Sequence, residues 1–225
     1  MGEPLSAMSA RQPVQAVNDL HSCDNLFNFD ARWCLPRVSW AEALADVFFD
    51  IDDDEIARRN ESGLRTVANH VLLRTLGALP LGVRVPLRMI NPEGQLALMT
   101  APPGIVRCDD EMVERLWTPA VMVQGLVVHC RSWTTGMHPA STLVRFGKTG
   151  LVTQRRPRQI AQARQEAGRR GVGLAVNNRS DGLAVEIAPA RRERFDTVTL
   201  WFRELLLDAV LGRDASQIQP SFKLG

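Results

Sequence analysis

Tyrosine is absent from this chain of 225 residues, lysine occurs twice against 25 arginines, and cysteine occurs four times. The arginine bias points first to a GC-rich, bacterial genome, and it also favours phosphate and carboxylate partners, which a planar guanidinium grips better than an ammonium does. Four cysteines (Cys23, Cys34, Cys108, Cys130) are too few to staple a chain this long, so stability must come from packing. No run approaches the roughly 18 consecutive apolar residues that a membrane span needs. The opening MGEPLSAMSARQPVQ has neither the basic start nor the apolar stretch of a signal peptide. These absences predict a cytoplasmic protein with no membrane contact.

Familiar catalytic motifs are missing as well. There is no serine nucleophile elbow, no His-Glu-x-x-His helix and no glycine-rich dinucleotide turn. Gly147, Lys148 and Thr149 match the end of a P-loop, but Thr142 stands where its first glycine belongs, and a β-turn explains them better. His21, Cys23 and Cys34, with His129 and Cys130, form a loose set of zinc-type ligands that lacks the two-residue gaps of such sites; core packing is the preferred reading. No cofactor is expected.

What is present begins with 45% hydrophobic content, enough for a sizeable core. Residues 1–17 read as a flexible N-terminal segment and 213–225 as a flexible tail, around one domain, 18–212, divisible into lobes 18–140 and 141–212. Ser39 and Glu42 fit a capping box and predict a helix to about Phe49; a second helix fits Ser62 to Ala78. VRVPLRMI, NPEG and QLALMT suggest a hairpin, and Asp109 to Trp117 a short helix. AVMVQGLVVHC predicts a central strand with STLVRF beside it after the turn TTGMHP. Pro157 and Gly171 bracket a third helix, a hairpin spans GLAV to LAVEIA, and a long helix covers Arg192 to Leu211. The expected class is α+β, with a single mixed or antiparallel sheet, helices packed on one side and two leading helices.

The stretch DIDDDEIARRNE, Asp50 to Glu61, concentrates acids. VFFDIDDDE resembles the nucleophile loop of haloacid dehalogenase-type phosphatases over about nine residues. That resemblance would make Asp50 and Asp52 the paired acids, but Asp54 replaces the hydroxyl residue. Asp50, Asp52, Asp54 and Glu61 are also similar to the first, third, fifth and twelfth ligands of an EF-hand calcium loop. That likeness implies a calcium site and departs at Glu55, where the loop needs glycine. A solvated helix junction is the preferred reading.

Charge is the strongest signal. Residues 145–194 carry 12 basic and 4 acidic side chains, whereas residues 1–144 carry 12 and 17. Arg155, Arg156, Arg158, Arg164, Arg169 and Arg170 surround a helix too polar to be buried. They predict contact with an anionic partner, nucleic acid or acidic protein, by a non-enzymatic binding or accessory protein. Phe146 is the only aromatic in that segment, which argues against single-strand stacking. The second expectation is an enzyme acting on an anionic substrate in a cleft near His129, Cys130 or His138. The third is a homo- or hetero-oligomer assembled through the broadly apolar C-terminal helix.

Overall fold

The computed structural model describes residues 15–16, 26–40, 42–109, 111–178, 182–191 and 194–212. In chain order its elements are β1 (Gln15–Ala16), β2 (Trp33–Trp40), β3 (Ala43–Ile51), α1 (Asp53–Ser62), α2 (His70–Ala78), β4 (Arg84–Pro86), a 3-10 turn (Leu87–Met89) and α3 (Pro92–Met99). There follow β5 (Val106–Cys108), β6 (Met112–Arg115), β7 (Val121–Cys130), α4 (Trp133–Leu143), β8 (Lys148–Thr153), α5 (Ile160–Arg170), β9 (Val172–Asn178), β10 (Gly182–Ile187) and α6 (Thr197–Val210). The class is α+β, and the larger sheet is mixed. Among the described residues no helix is long and apolar enough to cross a membrane.

The residues fall into two compact units. The first comprises the described parts of Gln12–Asp50 and Val123–Arg194. Its sheet runs β1-β2-β3-β7-β8-β9-β10. β7, β8 and β9 are parallel, joined by α4 and α5 as crossovers, while β2 and β3, like β9 and β10, are antiparallel hairpins. Val127, Val128, Leu151, Leu174 and Val176 are buried along the parallel strands, giving the continuous apolar runs that two-sided burial requires. Gly150 and Gly173 are direct neighbours across the β8–β9 ladder, and a Cβ on either meets the Phe27 ring. Phe27 lies 5.9 Å from Phe29, which lies 5.3 Å from Phe48, so an aromatic row covers this part of the sheet.

The second unit, Ile51–Met122 with Phe195–Leu211, packs helices around a three-stranded sheet of order β4-β6-β5. Leu72, Leu73, Leu76, Leu98, Ile105, Trp117 and Leu200 form its core. Beside them Arg59 is buried with its five N–H donors all engaged. Nε reaches Glu55 at 2.8 Å, Nη1 reaches Glu204 at 3.0 Å and the Arg65 carbonyl at 3.2 Å, and Nη2 reaches Glu204 and the Thr118 carbonyl, each at 2.8 Å. Glu204 also accepts the Val67 amide at 2.8 Å, so this network ties α6 to α1 and its following loop. The broad apolar face of α6 is itself covered: Leu200, Phe202, Leu206, Leu207, Ala209 and Val210 are buried within the single chain.

Several expected elements differ. Ser39 to Phe49, expected as the first of two leading helices, belongs to a β-hairpin; Glu42 takes φ 65 at the turn instead of reaching back to a cap. Ala43 and Ala45 point inward and Leu44 outward, a period of two that decides for a strand. The helix expected from Ser62 begins nine residues earlier, capped by Asp52, and stops at Gly63 in the left-handed region, and α2 starts afresh from Asn69. NPEG opens α3, with Asn91 as cap and Pro92 in the first turn. Asp109 and Glu111 sit in the β5–β6 hairpin, and Asp110 lies outside the described residues. TTGMHPAST is α4 rather than a turn and strand, and β8 begins later, at Lys148. The mobile ends expected for 1–17 and 213–225 lie outside the described residues apart from Gln15–Ala16, which pair with β2.

Candidate functional site

The parallel strands of the first unit place their carboxyl ends side by side. His129 stands opposite Val152 and Cys130 opposite Thr153 in the β7–β8 register, and the Gln154 amide donates to the Cys130 carbonyl at 3.1 Å. Arg131 and Arg155 therefore leave adjacent strands at the same edge, followed by Arg156 and Arg158. All four are exposed. The carboxyl edge of parallel strands is where open sheets expose loops and helix N-termini, and α4 and α5 both start here. Ser132 caps α4, its hydroxyl accepting the Thr134 amide, whereas α5 has no side-chain cap at Gln159.

The six arginines expected to act together divide into two sets. Arg164 donates to Glu186 at 2.8 Å, and Arg169 and Arg170 both donate to Glu166, Arg169 through Nη2 at 2.8 Å. First Arg169 and then Arg170 hold the Glu166 carboxyl down at about 2. By contrast, the guanidinium groups of Arg155, Arg156 and Arg158 make no ion pair or hydrogen bond among the described residues, and neither does that of Arg131, which was not among the arginines expected from the sequence.

Next to this edge, β3 carries Asp46. One of its oxygens accepts the Arg37 amide at 2.9 Å and the other faces His129 Nε2 at 3.0 Å. Arg37 stands at φ 57 in a bulge of β2 between Leu35 and Val38, a left-handed conformation that costs a non-glycine residue about 1 kcal/mol or more. The bulge turns that amide onto Asp46. Burial tends to raise the Asp46 pKa, but the hydrogen bonds from His129 and Arg37 outweigh it and hold the carboxyl below its ordinary value. Asp46 is thus a fixed carboxylate, and it faces an imidazole that is 45% exposed. Cys130 differs. Its Sγ donates to the Ser132 carbonyl at 3.0 Å, and burial pushes the thiol pKa up, so it stays protonated.

His138 lines a groove of about 520 Å³ between α4 and α5, together with Trp133, Met137, Gln162, Gln165 and Arg169. Trp133 is the first residue of α4, two positions after Arg131. Trp133 lies well before the arginine-rich helix in the chain, so the sequence shows no aromatic beside that helix.

The acidic stretch disperses. Asp50 accepts from Arg32 at 2.9 Å and Gln124 at 2.9 Å, Asp52 caps α1, Asp54 and Glu61 are exposed on that helix, and Glu55 is buried against Arg58 and Arg59. Cys34 is buried and Cys108 exposed, while His21 and Cys23 lie outside the described residues. Among the described residues no group of three or more histidine, cysteine, aspartate or glutamate side chains is placed to hold a metal ion. Comparison with protein families, curated proteins and solved structures finds no match to this chain.

Proposed function

We propose that this protein binds nucleic acid through its phosphates, using Arg131, Arg155, Arg156 and Arg158 at the carboxyl edge of β7 and β8. The observation that carries the reading is the division of the arginines: Arg164, Arg169 and Arg170 have carboxylate partners, whereas the four at the edge have none among the described residues. Neighbouring like charges repel, and a surface arranged for stability alone intersperses both signs. An anion that bridges them turns that repulsion into binding energy. Guanidiniums grip phosphate oxygens two at a time, and the uncapped start of α5 adds backbone amides at the same edge.

The test is fluorescence anisotropy against labelled oligonucleotides at about 50 and 200 mM salt. Binding that weakens steeply with salt, and that is lost when Arg155, Arg156 and Arg158 are replaced by glutamate but kept when Arg164 is replaced by alanine, supports the reading. Equal affinity of the Arg155, Arg156, Arg158 variant overturns it. If oligonucleotides fail to bind while an acidic peptide binds with the same arginine dependence, the partner is an acidic protein instead.

The Asp46–His129 pair favours a second reading, in which a bound phosphodiester is hydrolysed. Water attacks phosphorus as its proton passes to the imidazole, the ester P–O bond breaks, and the leaving oxygen takes a proton from solvent. A His129→Ala variant then keeps its affinity and loses turnover. Wild-type protein that releases no cleaved product leaves binding as the whole activity.

A further inference from the structure

We infer that the groove between α4 and α5 is a nucleobase pocket, so that the protein prefers a strand with unpaired bases over a duplex. This inference rests on the phosphate-binding reading and adds a specificity to it. Three observations converge. The groove, about 520 Å³, is of the size that holds small-molecule ligands. Its wall combines the aromatic Trp133 and the polarisable Met137 with the amide side chains of Gln162 and Gln165. An aromatic face accepts any base by stacking, and carboxamides donate to and accept from base edges. The third observation is position: Trp133 follows Arg131 by two residues at the edge where the unpaired arginines stand. A nucleotide whose phosphate sits on Arg131 thus has an aromatic platform within one nucleotide's reach.

Charge within the groove is compatible with a neutral base. Glu166 is the acid on its wall, and Arg169 and Arg170 both hydrogen-bond to it. A base packed there meets a compensated cluster rather than a bare carboxylate. His138 adds a further ring on the α4 side. Duplex bases are already stacked and paired, so a duplex can use the arginines and not the groove.

Anisotropy with three probes of equal length, about 20 nucleotides, tests this: a base-bearing single strand, a strand of the same backbone lacking bases, and a duplex. The base-bearing strand should bind about 10-fold tighter than the base-free one, and Trp133→Leu should remove that advantage while leaving affinity for the base-free strand unchanged. A single strand carrying 2-aminopurine gives an independent readout. Its fluorescence should be quenched by wild-type protein and not by Trp133→Leu. Equal affinity for base-bearing and base-free strands, or a preference that survives Trp133→Leu, overturns the pocket while the phosphate reading stands. Failure of all three probes to bind overturns both.

Discussion

Arg59 has no donor to spare, which makes its carboxylate partners the most sensitive single residues in the second unit. Removing Glu204 strips the bidentate partner from a buried guanidinium and also orphans the Val67 amide. Breaking a buried pair in this way costs about 3–5 kcal/mol. Glu204→Ala should therefore lower the urea midpoint sharply with little change in the m-value, and an unchanged midpoint would show that the network is dispensable. Glu55 gives the same network a pH dependence. Burial tends to raise its pKa, yet the hydrogen bonds from Arg58 and Arg59 prevail and lower it from the ordinary 4.5. A depressed folded-state pKa adds stability that is complete above the unfolded value and is lost as pH falls through the folded one. Urea midpoints should accordingly fall below about pH 4.5 more steeply for wild type than for Glu55→Gln. Parallel curves would remove Glu55 as the cause. None of this was legible in DIDDDEIARRNE. A buried arginine and an exposed one look alike in a sequence, and the partner that identifies Arg59 as buried lies 145 residues away.

Elements were readable where local chemistry and tertiary placement agree, and misread where packing overrides the local signal. The β7 strand, the β9–β10 hairpin, α5 and α6 each have an apolar pattern and ends that point the same way, and α5 closes on Gly171 at φ 73 as a helix C-cap should. The segment TTGMHPAST contains a glycine and a proline that ordinarily mark a turn. In the structure Gly136 faces Cys130 and Leu151 so closely that any side chain would collide; the glycine is there for helix-to-sheet packing. The β2–β3 hairpin hides for the opposite reason, since its turn carries Glu42 at positive φ with none of the usual Asn-Gly chemistry. The Asp46–His129 pair was hidden along with it, because a helix over Ser39–Phe49 does not bring Asp46 to β7. Packing of this kind also predicts an effect. Gly150 and Gly173 leave the slot that Phe27 fills, and two methyl-bearing branches at Gly150 would displace the ring. Gly150→Val should cost at least about 1–3 kcal/mol, measured by urea unfolding, and a neutral result would mean that Phe27 does not occupy the slot in solution.

At the scale of the molecule, the net charge of +2 conceals opposite signs on the two units. Ile51–Met122 with Phe195–Leu211 carries 9 basic and 13 acidic side chains, while Gln12–Asp50 with Val123–Arg194 carries 15 and 10. The sequence alone placed the basic excess in residues 145–194, close to the truth, because like charges there are contiguous in the chain. Which of them are available was only partly readable: Glu166 lies three and four residues before Arg169 and Arg170 on one helix, whereas Glu186 reaches Arg164 only through the fold. The distinction bears on the salt dependence of binding. Arginines already neutralised by carboxylates displace no counterions from a nucleic acid, and those without a partner do. Each phosphate contact to a single strand adds about 0.7 to the slope of log affinity against log salt concentration. If Arg155, Arg156 and Arg158 each hold one phosphate, replacing all three by alanine should reduce that slope by about 2, whereas Arg164→Ala should leave it nearly unchanged. A slope that falls equally for both variants would mean that the protein presents a diffuse positive field. A slope that falls only for the first locates the phosphates at the carboxyl edge of the parallel strands, beside Asp46 and His129.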